Sequence, residues 1–176
     1  MSDIKTIEQN NQLITSVAQI ELDKQITTAK AFPRNINGVV NNSIATVKLS
    51  KEIAEACTYA VPRQKKNDDT GKWETIFIKG ASIRLAEILV SEWGNTHSGS
   101  QVVGVEGNMI IGEAVVWDLE KNNKITIRSS RRAVGKDGKL YNADVLTNTG
   151  NAAASIAYRN AVFKIIPKAI IEQVRE

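Results

Sequence analysis

Cysteine and histidine are almost absent from this sequence. Its 176 residues include one cysteine, Cys57, and one histidine, His97. A single cysteine excludes a framework of disulfides within the chain, and one Cys with one His cannot assemble a Cys/His zinc site. A Ser-His-Asp arrangement would have to use His97, and nothing near it suggests one. We therefore predict no metal, no cofactor and no catalytic residue.

Long apolar runs and an ATP-binding glycine loop are also missing. No apolar stretch approaches the roughly 18 residues of a membrane span, and the first residues, MSDIKTIEQNNQ, lack the basic-then-apolar build of a signal peptide. No G-x-x-x-x-G-K-[ST] loop is present. We expect a cytoplasmic protein that does not associate with a membrane.

Aromatic residues make up only 5% of the chain. So few rings argue against the base-stacking sheets of OB-fold or RRM proteins, with Tyr141 and Tyr158 as the possible exceptions. Six of the other aromatics are predicted to anchor the core, namely Trp73, Trp93, Trp117, Tyr59, Phe77 and Phe163.

Charge is abundant but unevenly distributed. Residues 1–123 contain 13 basic and 15 acidic residues, whereas residues 124–176 contain 10 and 4, so that the two parts carry −2 and +6 of the net +4. Such asymmetry favours an anionic partner for the C-terminal part. Nucleic acid is favoured over a membrane surface because no basic amphipathic anchor accompanies the charge.

The order of elements predicts an α+β fold in one domain, residues 32–176, preceded by an arm over residues 1–31. The arm is either a frayed tail or a weak helix that contacts a neighbouring subunit. Helical spacing starts near Asn35 and restarts after Ser50, a candidate N-cap. The remaining elements are a hairpin (58–61 and 73–78) with a long charged loop, a helix (81–93), strands at 100–106, 109–119 and 124–134, and a last helix from Asn148 or Asn151.

The sequence also bears on how the last helix ends and on the order of the strands. Pro167 either kinks the last helix or begins a second one. Strand 109–119 is apolar on both faces and should therefore be central in its sheet.

The most basic segment is KITIRSSRRAVGKDGKL, residues 124–140, with six basic residues and one acidic residue. Strand alternation puts Ile125 and Ile127 on one face and Thr126, Arg128, Ser130 and Arg132 on the other. Guanidinium and hydroxyl groups donate hydrogen bonds to phosphate oxygens, and such contacts do not distinguish one base from another. The alternative interpretation is a strand face that is simply exposed to solvent. The phosphate-binding candidates are Arg128, Arg131, Arg132 and Lys136.

The last helix adds a second set of basic candidates. Arg159 falls on a mainly apolar arc, so its guanidinium needs either a carboxylate of the fold or a bound phosphate. Lys164 and Lys168 share a polar arc with Asn160. Second choices for phosphate contact are Lys79, Arg84, Arg63, Lys65 and Lys66, the last three lying near Asp68 and Asp69, which could simply neutralise them.

The segments FIKGASIRLAEILVSEWG and NAAASIAYRNAVFKIIPKAI, joined by an antiparallel meander that ends in a basic strand, resemble the core of single-strand annealing proteins. These are the phage recombinases of the Redβ, RecT and ERF kinds and the eukaryotic Rad-type annealing protein, which share a β-β-β-α core. The likeness covers residues 35–172. It rests on element order and scattered residues rather than on one motif.

The resemblance implies ATP-independent annealing of complementary strands in phage-type homologous recombination. Protomers would form rings or helical filaments and bind single-stranded DNA by its backbone. They would also bind the annealed duplex intermediate. A phage exonuclease and the host single-strand-binding protein are implied partners, the latter through a C-terminal tail that the resemblance would place after residue 176. The eukaryotic branch has Lys-Arg and a further Arg three residues on; here Arg159 alone carries over, beside Tyr158 and before Val162, with Lys164 and Lys168 one turn away.

Two rival functions remain open. The first is a phage structural or partner-binding oligomer with no DNA affinity. The second is a metal-dependent nuclease that combines Asp118 or Glu113 with the Asp137-Gly138-Lys139 segment. Asp-Gly is also ordinary turn chemistry.

Overall fold

A computed structural model describes the backbone over residues 2–175 and the side chains over residues 15–175. It confirms the α+β class: a two-stranded and a three-stranded antiparallel sheet are packed with helices. In chain order the elements are α1 (Ser2–Ala31), α2 (Ile36–Val47), α3 (Lys51–Ala56), β1 (Thr58–Lys66), β2 (Trp73–Ala81), α4 (Ile83–Trp93), β3 (Thr96–Glu106), β4 (Met109–Asp118), β5 (Asn123–Arg132), α5 (Ala143–Ile165) and α6 (Lys168–Arg175).

The three-stranded sheet is the meander β3-β4-β5, with β4 central as predicted. Its two turns contain Gly107 and Asn122, both with positive φ, which is the backbone region that hairpin turns between twisted strands use. β3 begins at Thr96, four residues earlier than predicted, so His97 is in a strand and not in a loop. The pairing of His97 with Trp117 on β4 extends the strand through this polar segment.

Helix α5 crosses the sheet at very short range. A Cβ on Gly112 of β4 would meet backbone atoms of Ala153 and Ala154. The side of α5 that faces the sheet is small throughout, because Gly150, Ala153, Ala154, Ala157 and Ala161 are all buried. α5 begins at Ala143, earlier than predicted, because the Asn142 side chain accepts a hydrogen bond from the Val145 amide and caps it.

A buried ion pair joins the segment before α2 to the end of β4. Both Arg34 and Asp118 have side chains at most 5% exposed, and the guanidinium donates two hydrogen bonds to the carboxylate, at 2.5 and 2.7 Å. Arg34 also donates to Glu120 at 3.0 Å and lies over the ring of the buried Trp93, whose indole N–H donates to Asp118. Burial alone would raise the pKa of Asp118, but the hydrogen bonds from Arg34, the Lys121 amide and Trp93 outweigh it and lower that pKa.

The hairpin of β1 and β2 projects from this body. Strand β1 continues through Pro62 to Lys66, which corrects the predicted long loop: the connection is only residues 67–72. Pro62 is tolerated because β1 has a free edge. The side-chain oxygen of Asn67 accepts from the amides of Asp69 and Thr70, and Gly71 has a φ of 68°, so the connection is a tight turn.

The remaining helices surround the core. The Ser50 side chain accepts a hydrogen bond from the Ile53 amide and caps α3, as predicted. Pro167 separates α5 from α6, so the second helix is the correct alternative. The predicted arm is helical, and its described side chains are mostly exposed although Ala29 is buried. Within the described part of the chain, no helix is long and apolar enough to cross a membrane.

Candidate nucleic-acid interface

A cleft of about 500 Å³ opens between the hairpin and the body. One wall comes from one face of the hairpin, and the other comes from α5, the end of β5 and the start of α4. Three cations from three different elements line it, and no acidic residue does. The lining residues are Tyr59, Val61, Arg63, Ile78, Ser82, Ile83, Arg131, Ser155, Ile156 and Arg159.

Arg159 is half-buried in this cleft and has no ionic partner among the described residues. Its guanidinium donates to the side-chain oxygen of Asn160 at 3.1 and 3.3 Å and lies 5.1 Å from the centre of the Tyr59 ring. No carboxylate within residues 15–175 lies within 4.0 Å of it. Of the two alternatives open from the sequence, the carboxylate of the fold is therefore absent from the described part of the chain.

Tyr59 is held across the hairpin by a glycine. Tyr59 and Gly80 are register partners on β1 and β2, and a Cβ on Gly80 would lie 2.5 Å from the Tyr59 hydroxyl. The ring can therefore lie flat across the position where any other residue would have a side chain. This arrangement places an electron-rich ring face under the Arg159 guanidinium. The sequence pattern predicted Tyr59 as a core anchor and did not reveal this role.

Arg131 reaches the cleft because strand alternation sends it to the helix side of the sheet. Ile125, Ile127 and Ser129 of the same face are half-buried, and Arg131 continues that face at the strand end. The first turn of α4, beside Ser82 and Ile83, contains no acidic residue, so its amide dipoles add positive potential. The arginine side chains and the Ser155 hydroxyl in the cleft lining can donate hydrogen bonds to phosphate oxygens.

The other face of β5 is less cationic than predicted. Thr126, Arg128 and Ser130 are exposed there, as the alternation indicated. Glu113 of β4 is the register partner of Arg128, and the Arg128 guanidinium donates to it at 2.7 Å. This hydrogen bond lowers the pKa of Glu113 and raises that of Arg128. Strand alternation describes β5 alone, so it could not reveal that a carboxylate of β4 lies beside Arg128.

The remaining predicted residues do not join the cleft. Arg132 donates to the Gly135 carbonyl, and Arg84 forms an exposed ion pair with Glu87. Lys136, Lys164 and Lys168 are exposed, and Val162, where the resemblance would put a second arginine, is fully buried. By the hairpin register, Lys65 shares the face of Arg63, whereas Lys66 and Lys79 lie on the opposite face.

Two of the predicted core aromatics are exposed instead. Trp93 is buried, but Trp73 and Phe77 are 69% and 61% exposed on the hairpin. The helix and strand periodicities of the sequence cannot reveal this exposure, because it depends on whether another layer covers the face of the hairpin that carries Trp73 and Phe77. Tyr158, held by a hydrogen bond between its hydroxyl and that of Ser98, is half-buried.

The carboxylates proposed for a nuclease do not come together. Asp118 is bound by Arg34, Glu113 by Arg128, and the Asp137 carboxylate accepts from the Lys139 amide. Asp118 ends β4 beside Asn123, whereas Asp137 follows the opposite end of β5, roughly 30 Å away along the strands at ~3.3 Å per residue. In the described part of the chain, no group of three His, Cys, Asp or Glu residues could hold a metal ion.

Comparisons with protein-family models, with curated protein sequences and with solved structures give no match for this chain. The case for a function therefore rests on the residues of the cleft and on the resemblance described above.

Proposed function

We propose that this protein binds single-stranded nucleic acid by its phosphate backbone. The observation that carries the proposal is the cleft with Arg63, Arg131 and Arg159 in its lining and no acidic residue. Arg159 is half-buried and has no carboxylate partner among the described residues, so its charge is available to an anion, and a phosphodiester supplies one without requiring a particular base.

Within that class, we propose an ATP-independent annealing protein. The resemblance of element order to the phage recombinases supports this step, together with the absence of an ATP loop from the sequence. Backbone binding leaves base edges free to test complementarity. A ring or filament of protomers would repeat one modest cationic cleft and so gain avidity. The protein would act in the cytoplasm of a bacterial host, with a phage exonuclease and the host single-strand-binding protein as partners.

Two double variants with the same charge change test where the strand binds. Arg131→Ala with Arg159→Ala removes two cations from the cleft, and Arg128→Ala with Arg132→Ala removes two from the opposite sheet face. For a labelled 40-mer single strand, we expect the cleft variant to weaken binding to all sequences alike and to lower the salt slope by about 1.4, from ~0.7 per lost phosphate contact. The outer-face variant should bind nearly as the unaltered protein does. A larger loss in the outer-face variant would place the interface on the face of β5 that carries Arg128 and Arg132 instead.

Annealing needs a second assay on the same protein. Complementary 40-mers are mixed without ATP and with EDTA, and duplex formation is followed with and without the protein. Acceleration that the cleft variant loses supports annealing. Binding without acceleration would leave a strand-binding protein only, and oligomers without any binding would favour the structural rival. Degradation that appears only when Mg²⁺ replaces EDTA would favour the nuclease.

A further inference from the structure

The hairpin has a second face, which points away from the cleft. The register puts Tyr59, Val61, Arg63 and Ile78 on the cleft side, so the alternate positions form the other side. This outer hairpin face consists of Thr58, Ala60, Pro62, Gln64, Lys66, Trp73, Thr75, Phe77, Lys79 and Ala81. All of these residues except Ala81 are exposed.

We propose that the outer hairpin face stacks the bases of the single strand whose phosphates bind in the cleft. This inference rests on the proposed function and deepens it. Trp73 and Phe77 are 69% and 61% exposed and project from the same face of β2. They are four residues apart, roughly 13 Å along the strand at ~3.3 Å per residue, so each ring presents its own platform. Every base has a flat π face, so stacking on such rings is tolerant of sequence.

The charges of this face complement a nucleic acid. Its only ionic side chains are Lys66 and Lys79, and no residue of the face is acidic. Asp68 and Asp69 are in the turn, and Glu74 is on the cleft side. Gln64 and Thr75, which share a hydrogen bond at 2.9 Å, supply uncharged polar groups between the rings. Lys66 is the register partner of Trp73, and Lys79 follows Phe77 on the same face, so a cation lies beside each ring. This arrangement suits a strand with its bases stacked on the rings and its phosphates near the lysines.

A second copy of the chain is a weaker candidate for the occupant. The face is nine residues long, roughly 30 Å, and ~10 Å wide for two strands, so that it offers roughly 300 Å². A stable interface needs about 800 Å² per partner. Two copies meeting through the same face would also bring lysines against lysines.

The path between the two surfaces is short. The hairpin is a single sheet layer with two free edges, so a strand that leaves the cleft beside Arg63 reaches the outer face by crossing one edge. Stacking engages the faces of the bases and leaves their pairing edges exposed. It is therefore compatible with annealing.

The test compares two 40-mers of equal charge, oligo-dT and an abasic strand that has the same phosphates but no bases. The cleft binds both strands, whereas the outer hairpin face can hold only oligo-dT. We expect Trp73→Ala to weaken oligo-dT binding about tenfold, a typical loss for one stacked base, and to leave abasic binding unchanged. Trp73→Phe keeps a ring and should restore most of the affinity. Ile76→Ala, on the cleft side of the same strand and outside the cleft lining, controls for a weakened hairpin.

Intrinsic fluorescence gives an independent reading. Trp93 is buried and Trp117 is half-buried, so Trp73 is the exposed indole that a base can quench. We expect oligo-dT to quench the emission and the abasic strand not to, and we expect Trp73→Phe to abolish the quenching.

The outcomes separate this inference from the proposed function. Equal binding of the two strands by the unaltered protein, or equal losses of both in Trp73→Ala, would overturn stacking and leave the cleft in place. A changed oligomeric mass with unchanged DNA affinity would show a subunit contact instead. If neither strand binds at all, both the stacking inference and the proposed function fail.

Discussion

Arg159 shows how much depends on the surroundings of a single residue. Its guanidinium contacts one amide oxygen and one aromatic ring. Neither partner neutralises its charge. The residue is therefore held in place with its positive charge still available to an anion, which a carboxylate partner would have cancelled.

Replacing Tyr59 tests this positioning at the residue scale. Tyr59→Ala removes the ring beneath Arg159, and we expect single-strand affinity to fall about threefold to thirtyfold, the range for a partly desolvated cation–π contact. Tyr59→Phe keeps the ring and should bind normally. The measurement is a titration with the labelled 40-mer, with thermal unfolding of each variant as the control for folding.

A double-mutant cycle then separates positioning from simple loss of packing. If Tyr59 acts through Arg159, adding Arg159→Ala to Tyr59→Ala should cost less affinity than Arg159→Ala costs alone. Additive losses would show that Tyr59 works independently of Arg159.

At the scale of elements, the contact between α5 and β4 organises the cleft. The small face of α5 lets its backbone approach Gly112, and this close crossing places Arg159 near the end of β5 that carries Arg131. The hairpin forms the opposite wall but is otherwise exposed. A two-stranded hairpin alone is marginally stable in water, so this wall is the one most able to move.

Gly112→Ala tests the close crossing. The added methyl would meet α5 backbone that cannot rotate away, so we expect the free energy of unfolding to fall by about 1–3 kcal/mol. Gly99→Ala in β3 of the same sheet is the matched control, because a Cβ there meets nothing within 4 Å, and its effect should stay within about 0.5 kcal/mol. Urea unfolding measures both. Equal losses would show that sheet propensity, rather than helix contact, explains the effect.

At the scale of the whole molecule, the Arg34–Asp118 pair closes the fold by tying the segment before α2 to the end of the meander. The folded pKa of Asp118 is lower than that of a free carboxyl. The pair therefore stabilises the fold above the unfolded pKa of about 3.9, and this contribution is lost as pH falls through the folded pKa.

Arg34→Met gives a pH signature for this pair. At pH 7 it leaves a buried carboxylate without its cation, and we expect a loss of about 3–5 kcal/mol in the free energy of unfolding. Without Arg34 the Asp118 pKa rises, so protonation at acidic pH relieves the charge and the gap to the unaltered protein narrows. Arg84→Met, which breaks an exposed pair with Glu87, should cost under about 1 kcal/mol. A gap that is the same at pH 7 and pH 4 would mean that Asp118 is not the cause.

The sequence by itself determined the α+β class, the central position of β4 and the cap at Ser50, and it marked Pro167 as the place where the last helix kinks or ends. These follow from periodicity, capping and backbone chemistry, all of which act over a few residues. Strand alternation likewise placed Ile127 and Arg128 on opposite faces. Arg159 could be chosen as a candidate because a charged side chain on an apolar helix arc needs a partner, and this need is visible in the local sequence.

Only the tertiary structure decided which cations share a surface. Glu113 lies 15 residues before Arg128, yet the strand register puts the two in contact, while Arg63, Arg131 and Arg159 meet from three separate elements. The exposure of Trp73 and Phe77 was decided in the same way, because apolar residues are buried only where another layer covers them. Local patterns report the direction of a side chain within its own element, and the neighbour that it meets depends on packing between distant parts of the chain.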